Sequence, residues 1–337
     1  MRRMVALLFF AVAAFMIISC HKSALEVVVY TSVDKVFSEP IFQEFEQKTG
    51  IKVKAVYDIE SAKTVGLVNR MIAEKDNPQA DLFWSSEVAG TIILRDKEVL
   101  SPYCSPSASD IPAQFKDQAC FWTGFAARER VLIYNKNLLS DKELPDSILK
   151  LTDPVFKGKV ALANPMFGTT FTQCAALFVA LGEENAKKYF EGLKANGVKI
   201  VDGNANSRDA VARGESAIGF TDTDDAHYGV MEGRPVRIIF PDQGGIGTLL
   251  IPNTVALLKG GPNPSNAQKL IDYLLSKEVE RKLAFSDAWE MPVRDGVDRP
   301  KEMPSYKDVK AMNISYEAIA KAMPATRDFL QKTFVEE

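Results

Sequence analysis

Residues 26–57 open on Glu26-Val27-Val28-Val29-Tyr30-Thr31-Ser32, carry Phe37, Ile41 and Phe45 at helical spacing up to Gly50, and close on Ile51-Lys52-Val53-Lys54-Ala55-Val56-Tyr57. The first run is apolar and β-branched at consecutive positions, the pattern of a strand buried on both faces. Pro40 is expected in the first turn of the helix that follows, where its missing N–H does no harm. Gly50 stops that helix. A second helix is predicted from about Ser61 to Glu74, with Val65, Val68, Met71 and Ile72 on one side. Ala80-Asp81-Leu82-Phe83-Trp84 makes a third strand. Strand, helix, strand, helix, strand implies a parallel sheet covered by helices on both faces.

The same alternation returns downstream. Lys159 to Ala163 reads as a strand, Thr170 to Leu181 as an apolar helix and Val198 to Val201 as a strand. Ser207 to Arg213 reads as a helix ended by Gly214, and Ala217 to Phe220 as a further strand. Two α/β units in one chain imply two lobes. Ala126 to Asn135 and Pro241 to Leu258 hold the extended, β-branched runs that link them. Helices from about Asn266 to Leu275 and Glu278 to Phe285 return to the first lobe, and the tail from about Asn313 to Phe334 is helical again.

Working outward to the N-terminus, Arg2-Arg3 precede an apolar run from Val5 to Ile18 that is too short to span a bilayer comfortably. Ile17-Ile18-Ser19-Cys20 then resembles a lipobox. Residues 1–19 are read as a signal peptide, Cys20 as the lipidated residue and 20–25 as the tether, which places the folded body outside the inner membrane on a lipid anchor. Loss of Arg2 and Arg3 takes the formal charge from −3 to −5. That mild acidity, with no basic face, argues against nucleic-acid binding. Only two histidines occur, His21 and His227, so a His-rich metal site is excluded by count. Cys104 and Cys120 flank a Pro/Ser-rich segment and are expected to pair in an oxidising compartment. Cys174 lines up with Phe171, Phe178 and Leu181 and reads as a buried apolar residue.

Open α/β sheets bind ligands beyond the carboxyl ends of their strands, where helix N-termini aim N–H groups outward. The residues to inspect are therefore Thr31-Ser32, Ser85-Ser86, Asn164 with Gly168-Thr169-Thr170, the group Asn204, Asn206 and Arg208, and Thr221 to Asp225. Ser, Thr, Asp and Asn are also ordinary N-cap residues. Five such loops at one face of two lobes nevertheless favour an anion with several oxygens. Gly168-Thr169-Thr170 is the best single candidate. Arg208 either completes the site by bidentate contact or is a solvated helix residue. Asp222, Asp224 and Asp225 leave three readings open: helix capping, acceptance of hydrogen bonds from the solute, or oxygen ligation of a hard cation. Thr223 joins the ligand-binding set with Asp222.

The lipobox, the opening Val-Val-Tyr-Thr-Ser strand, Phe45 to Val53, Ala80 to Trp84, Leu132-Ile133-Tyr134-Asn135-Lys136 and Arg213 to Phe220 together resemble one family across nearly the whole mature chain. They are similar to the ferric-iron and phosphonate branch of the bacterial solute-binding proteins that feed ABC importers. The resemblance implies two α/β lobes on a hinge, of the type II periplasmic-binding fold, closing on a solute. It puts lobe 1 at 26–127 with 250–337 and lobe 2 at 128–249. The expected partners are a small anionic solute and an inner-membrane ABC permease, with the protein working as a monomer in the periplasm or at the cell surface. Ferric-binding members carry an adjacent tyrosine pair after the strand that matches Ala217 to Phe220. This chain has Thr221-Asp222-Thr223 there, and a lone Tyr228 further on. A phosphonate or phosphorylated metabolite fits the hydroxyl-rich loops better. The alternative is Fe3+ as the transported ligand, held by Asp222, Asp224 and Tyr228.

No cofactor is expected. An enzyme would need a nucleophile, a base or a cofactor loop. There is no G-x-S-x-G, no Walker loop and no free cysteine paired with a histidine, so a binding protein is the reading that remains.

Overall fold

The computed structural model describes residues 25–58 and 65–336. The signal segment, Cys20 and all of the tether before Leu25 lie outside the described residues, as does the predicted helical start at Ser61. The first unit runs β1 (Glu26–Thr31), α1 (Lys35–Thr49), β2 (Lys52–Tyr57), α2 (Val65–Ala73), β3 (Leu82–Ser85), α3 (Ala89–Asp96) and β4 (Leu100–Ser101). A 13-residue strand, β5 (Thr123–Asn135), leads into the second unit. There follow β6 (Val160–Ala163), α4 (Gly168–Leu181), α5 (Glu183–Ala195), β7 (Lys199–Val201), α6 (Asn204–Ala212), β8 (Ile218–Asp222), α7 (Thr223–Met231) and β9 (Val236–Ile239). The chain returns through β10 (Leu250–Leu258) and ends in α8 (Pro264–Leu274), α9 (Lys277–Phe285) and α10 (Tyr316–Phe334).

The strands form one continuous path, β2-β1-β3-β10-β5-β8-β6-β7. β1 pairs in parallel with β2 and β3, and β6 with β7 and β8, so each unit has the parallel sheet that its pattern implied. At the centre the rule changes. β10 is antiparallel to β3 and β5, and β5 is antiparallel to β8 and β9. β5 is buried at all 13 positions because it serves both lobes: Thr123–Glu129 pair with β10, and Arg130–Tyr134 with β8. These are the linking segments read from the sequence, present as long strands rather than loose connectors.

Two expectations need correction. Pro40 is the sixth residue of α1, a turn deeper than its missing N–H favours. The carbonyl left without that amide is that of Val36, a residue exposed to solvent. The tail, assigned with 250–337 to the first lobe, packs elsewhere. α10 lies mainly on α4, with α3 and α5 beside it. Phe329 sits 5.7 Å from the Phe178 ring, and Arg327 lies 4.5 Å over the Phe171 ring. The reason is in α4, whose residues from Thr169 to Phe178 are all buried. A helix that is apolar nearly all round needs a second layer over its outer side, and α10 is that layer.

Cys104 and Cys120 are bridged, with Cα atoms 5.1 Å apart, and Cys174 is free and buried. Burial pushes the Cys174 thiol up to about 12, against the opposing pull of Arg130. Thiol labelling of unfolded, unreduced protein lacking Cys20 should find one reactive thiol. Reduction of the bridge should lower the unfolding free energy by roughly 3 kcal/mol on the chain-entropy account. Three labelled thiols would show that no bridge forms.

Candidate functional site

Four helices begin at one cleft of about 190 Å³ between the lobes. α1 starts after Asp34, α4 after Phe167, α6 after Gly203 and α7 after Asp222; in none of the four does the N-cap side chain bond the first amides, although in α7 Asp224 Oδ1 accepts from the Asp225 amide at 2.9 Å. A helix leaves its first N–H groups without intrahelical partners, and its dipole puts about half a positive charge there. Gly168 opens α4 at φ +56°, a left-handed conformation that favours glycine, and a Cβ there would meet nothing within 4 Å. The backbone of Gly168, Thr169 and Thr170 is thus laid open to the cleft.

Beneath these helix ends lies a buried network centred on Arg130 of β5. Its side chain is wholly inaccessible and pairs with Asp222 Oδ1 at 2.6 Å. Nε donates to Gln173 at 2.9 Å, Nη1 to Asn204 Oδ1 at 3.0 Å and to the Thr169 hydroxyl at 3.2 Å, and Nη2 to the Thr170 hydroxyl at 3.3 Å. Asp222 Oδ2 accepts from the Thr169 hydroxyl at 2.5 Å and from Asn204 Nδ2 at 2.9 Å. The Thr170 hydroxyl donates to Asn204 Oδ1 at 3.2 Å. Each of these two hydroxyls has a single proton, and the network takes both. The groups left to meet a solute are the backbone amides.

Arg128, two residues earlier on the same face, joins the lobes. It donates to the Ser86 carbonyl at 3.1 Å and pairs with Glu290 at 2.5 Å, both in the first lobe, and pairs with Asp224 of the second at 2.7 Å. Burial favours loss of the Arg128 proton, but the charges of Glu290, Asp224 and Asp222 outweigh it and hold the guanidinium charged. Burial raises Asp224 despite Arg128, and pushes Glu290 up to about 7. Glu129, between the two arginines, points to the other face. Its carboxyl has no charge partner, Oε1 has no hydrogen bond among the described residues, and burial alone pushes it up to about 8.

The residues singled out from the sequence divide. Ser86, Gly168, Thr169, Thr170, Asp222 and Asp224 line the cleft. Thr31, Ser32 and Ser85 do not: Thr31 and Ser85 close their own loops, and Ser32 ties its loop to that of Ser86. Thr31 Oγ1 accepts from the Val33 amide at 3.1 Å, Ser32 Oγ from the Ser86 amide at 2.9 Å and Ser85 Oγ from the Glu87 amide at 3.2 Å. Thr223 Oγ1 accepts from the Glu129 amide at 3.2 Å. Asn206 is exposed on α6, and Asn204 holds the place in the network. Arg208 is not bidentate to anything in the cleft. It pairs with Asp209 at 2.8 Å and Asp225 at 3.4 Å, and lies 4.8 Å over the Tyr228 ring. Tyr228 is exposed, its hydroxyl bonds Glu232, and it is not among the residues that line the cleft with Asp222 and Asp224. Carboxylate oxygens of Asp222, Asp224 and Asp225 do lie within 4.8 Å of one another. The sequence reasoning passed over Arg128 and Arg130. Their signal was the charged triplet Arg128-Glu129-Arg130 inside a strand whose other residues are mostly apolar, where a buried charge demands a partner.

The family model for the bacterial extracellular solute-binding proteins matches residues 77–322. The chain belongs to this family. Iron uptake protein A1 of Synechocystis sp. is 28% identical over 90% of this chain and 85% of its own. A Salmonella typhi periplasmic protein named for binding 2-aminoethylphosphonate is 30% identical, over 84% of this chain and 80% of its own. Among solved structures, the apo ferric ion-binding protein A of Pasteurella haemolytica superposes with a TM-score of 0.83 at 27% identity, covering 93% of this chain and 99% of that one. This solute-binding protein therefore has the two-lobed type II periplasmic-binding fold. It works in the periplasm as the ligand-delivering component of an ABC importer.

Proposed function

We propose that this solute-binding protein carries a small phosphonate or phosphorylated metabolite to its permease, as a monomer held to the membrane by lipid on Cys20. The observation that supports this best is the convergence of uncapped helix starts on the cleft, above all the open backbone at Gly168, Thr169 and Thr170. Charge decides the rest. Arg128 and Arg130 are matched by Asp224 and Asp222, so the anion owes its place to amides and helix dipoles rather than to a free cation. Asp34, Asp202, Asp224 and Asp225 form a second, acidic wall of the same cleft. A solute with an ammonium or hydroxyl groups beside its phosphorus oxygens answers both poles.

Calorimetry against a panel of organophosphorus solutes tests this reading. Thr169→Val keeps the side chain's shape and removes the donor that fills Asp222 Oδ2. The carboxylate keeps Asn204 and Arg130, but its charge is then less compensated beside the anion's seat. A hydrogen bond to a charged group is worth about 1.5–3 kcal/mol, and since this one lies within the protein only part of it reaches the bound anion, so affinity should fall by at most roughly ten- to hundredfold, while Thr169→Ser retains it.

A second reading keeps a specific observation, the three aspartates within 4.8 Å, and is that of ferric-ion transport. It requires Asp222 and Asp224 to exchange the donors they now accept for a metal. Tight ferric binding that Asp222→Asn abolishes, with no response to the phosphorus panel, would establish it in place of the first.

A further inference from the structure

Behind the start of α4 lies a second chamber, of about 580 Å³, three times the volume of the polar cleft. Its walls come from both lobes and from α10, and their character is different: Val68, Ile72, Ile93, Phe171, Ala320 and Met323 all face it. Phe171 is held flat beneath the Arg327 guanidinium. The buried carboxylate of Glu87 also reaches this wall, but it is already filled. It accepts from the amides of Ala89 and Gly90 at 2.6 and 2.7 Å and from the Thr172 hydroxyl at 3.1 Å, so it asks nothing of a ligand.

Gly168 lines both spaces. It has no side chain to divide them, and the position of a Cβ there is empty for 4 Å around. A phosphorus oxyanion seated on the amides of Gly168, Thr169 and Thr170 has the apolar chamber directly beside it. We infer that the transported solute carries an apolar substituent several carbons long next to its oxyanion, and that this chamber receives it. The inference rests on the oxyanion reading and extends it to a substrate class: amphiphilic organophosphorus compounds rather than the smallest phosphonates.

The test is a series of 1-aminoalkylphosphonates in which the charged head stays fixed and the side chain grows from one carbon to six, measured by calorimetry on the soluble mature protein. Burial of each methylene should raise affinity about three- to fourfold over the first several carbons. Ile93→Gln and Met323→Gln place an amide in the chamber wall at similar volume, and each should collapse the ratio of longest- to shortest-chain affinity. If the one-carbon compound binds and longer chains bind equally or worse, the chamber is not a subsite and the oxyanion reading stands without it. If no member binds while ferric citrate does, both fail together.

Discussion

Arg130→Met is expected to lower the unfolding free energy by about 3–5 kcal/mol, the cost of leaving a buried charge without its partner. The magnitude follows from the surroundings. The Arg130 side chain is inaccessible and Asp222 nearly so, at 0% and 5%, so water cannot replace the lost guanidinium. Methionine fills the aliphatic volume, which leaves the electrostatic loss as the main effect. Asp222 would keep two donors, Thr169 and Asn204, but no paired cation, since Arg128 nearby is already paired with Asp224 and Glu290. Removing both charges with Arg130→Met and Asp222→Asn should recover much of the loss, because a buried pair is far less costly to delete than to break. Arg208→Met is the control. That arginine pairs with the adjacent Asp209 and, at 3.4 Å, with Asp225 of α7, both carboxylates being partly open to water, so its loss should cost less, about 1 kcal/mol. Urea titration of the three variants reads the differences. A loss below about 1 kcal/mol in Arg130→Met would mean that the network does not organise the cleft.

Much of this arrangement was legible in the chain because it is written in short-range pattern. Val27, Val28 and Val29 can only make a strand buried on both faces, and α4 announces itself through Phe171, Cys174 and Phe178. The parallel pairing within each lobe follows from strand–helix alternation. What stayed hidden depends on partners far apart in sequence. Nothing in Thr123–Asn135 says that one half pairs with β10 and the other with β8, since no turn residue separates them and each partner strand lies far away in sequence. Nothing in Tyr316–Phe334 says that its aromatic side covers α4. At the site, helix starts were visible as small polar residues. The side chains that finish it were not, because Thr31, Ser32 and Ser85 have the same composition as Ser86 and differ only in where their hydroxyls are spent. The charge of Arg130 and the absence of charge pairing at Glu129 are likewise properties of the assembled strand and not of its letters.

That unpaired carboxyl sets the second large effect. Glu129 has its folded-state pKa raised from the ordinary 4.5 to about 8, by burial alone. An acid whose pKa is raised on folding binds more protons folded than unfolded, so stability is greatest below about pH 4.5 and falls as the pH climbs toward 8. The shift corresponds to a loss on the order of 4 kcal/mol across that window. Glu290, raised to about 7 by burial against Arg128, acts in the same direction. His227, lowered by its own burial, acts in the opposite one. The exposed carboxylates lowered by lysine and arginine, such as Glu44 and Glu215, lose their contribution only below about pH 4.5 and so leave this window to the buried groups. Comparing variants isolates the single residue. Glu129→Gln is neutral throughout, so its stability should decline less steeply than the wild type's between pH 5 and pH 8. At pH 8 it should be the more stable protein by up to several kcal/mol, less what the unpartnered amide costs. At pH 5 the electrostatic difference should shrink to within about 1 kcal/mol, since folded Glu129 is then uncharged and only its unfolded form is largely ionised. Urea midpoints at half-unit steps of pH give the two slopes. Parallel slopes would mean that Glu129 finds water or a partner when it ionises, and that strand β5 carries no buried proton at the junction of the lobes.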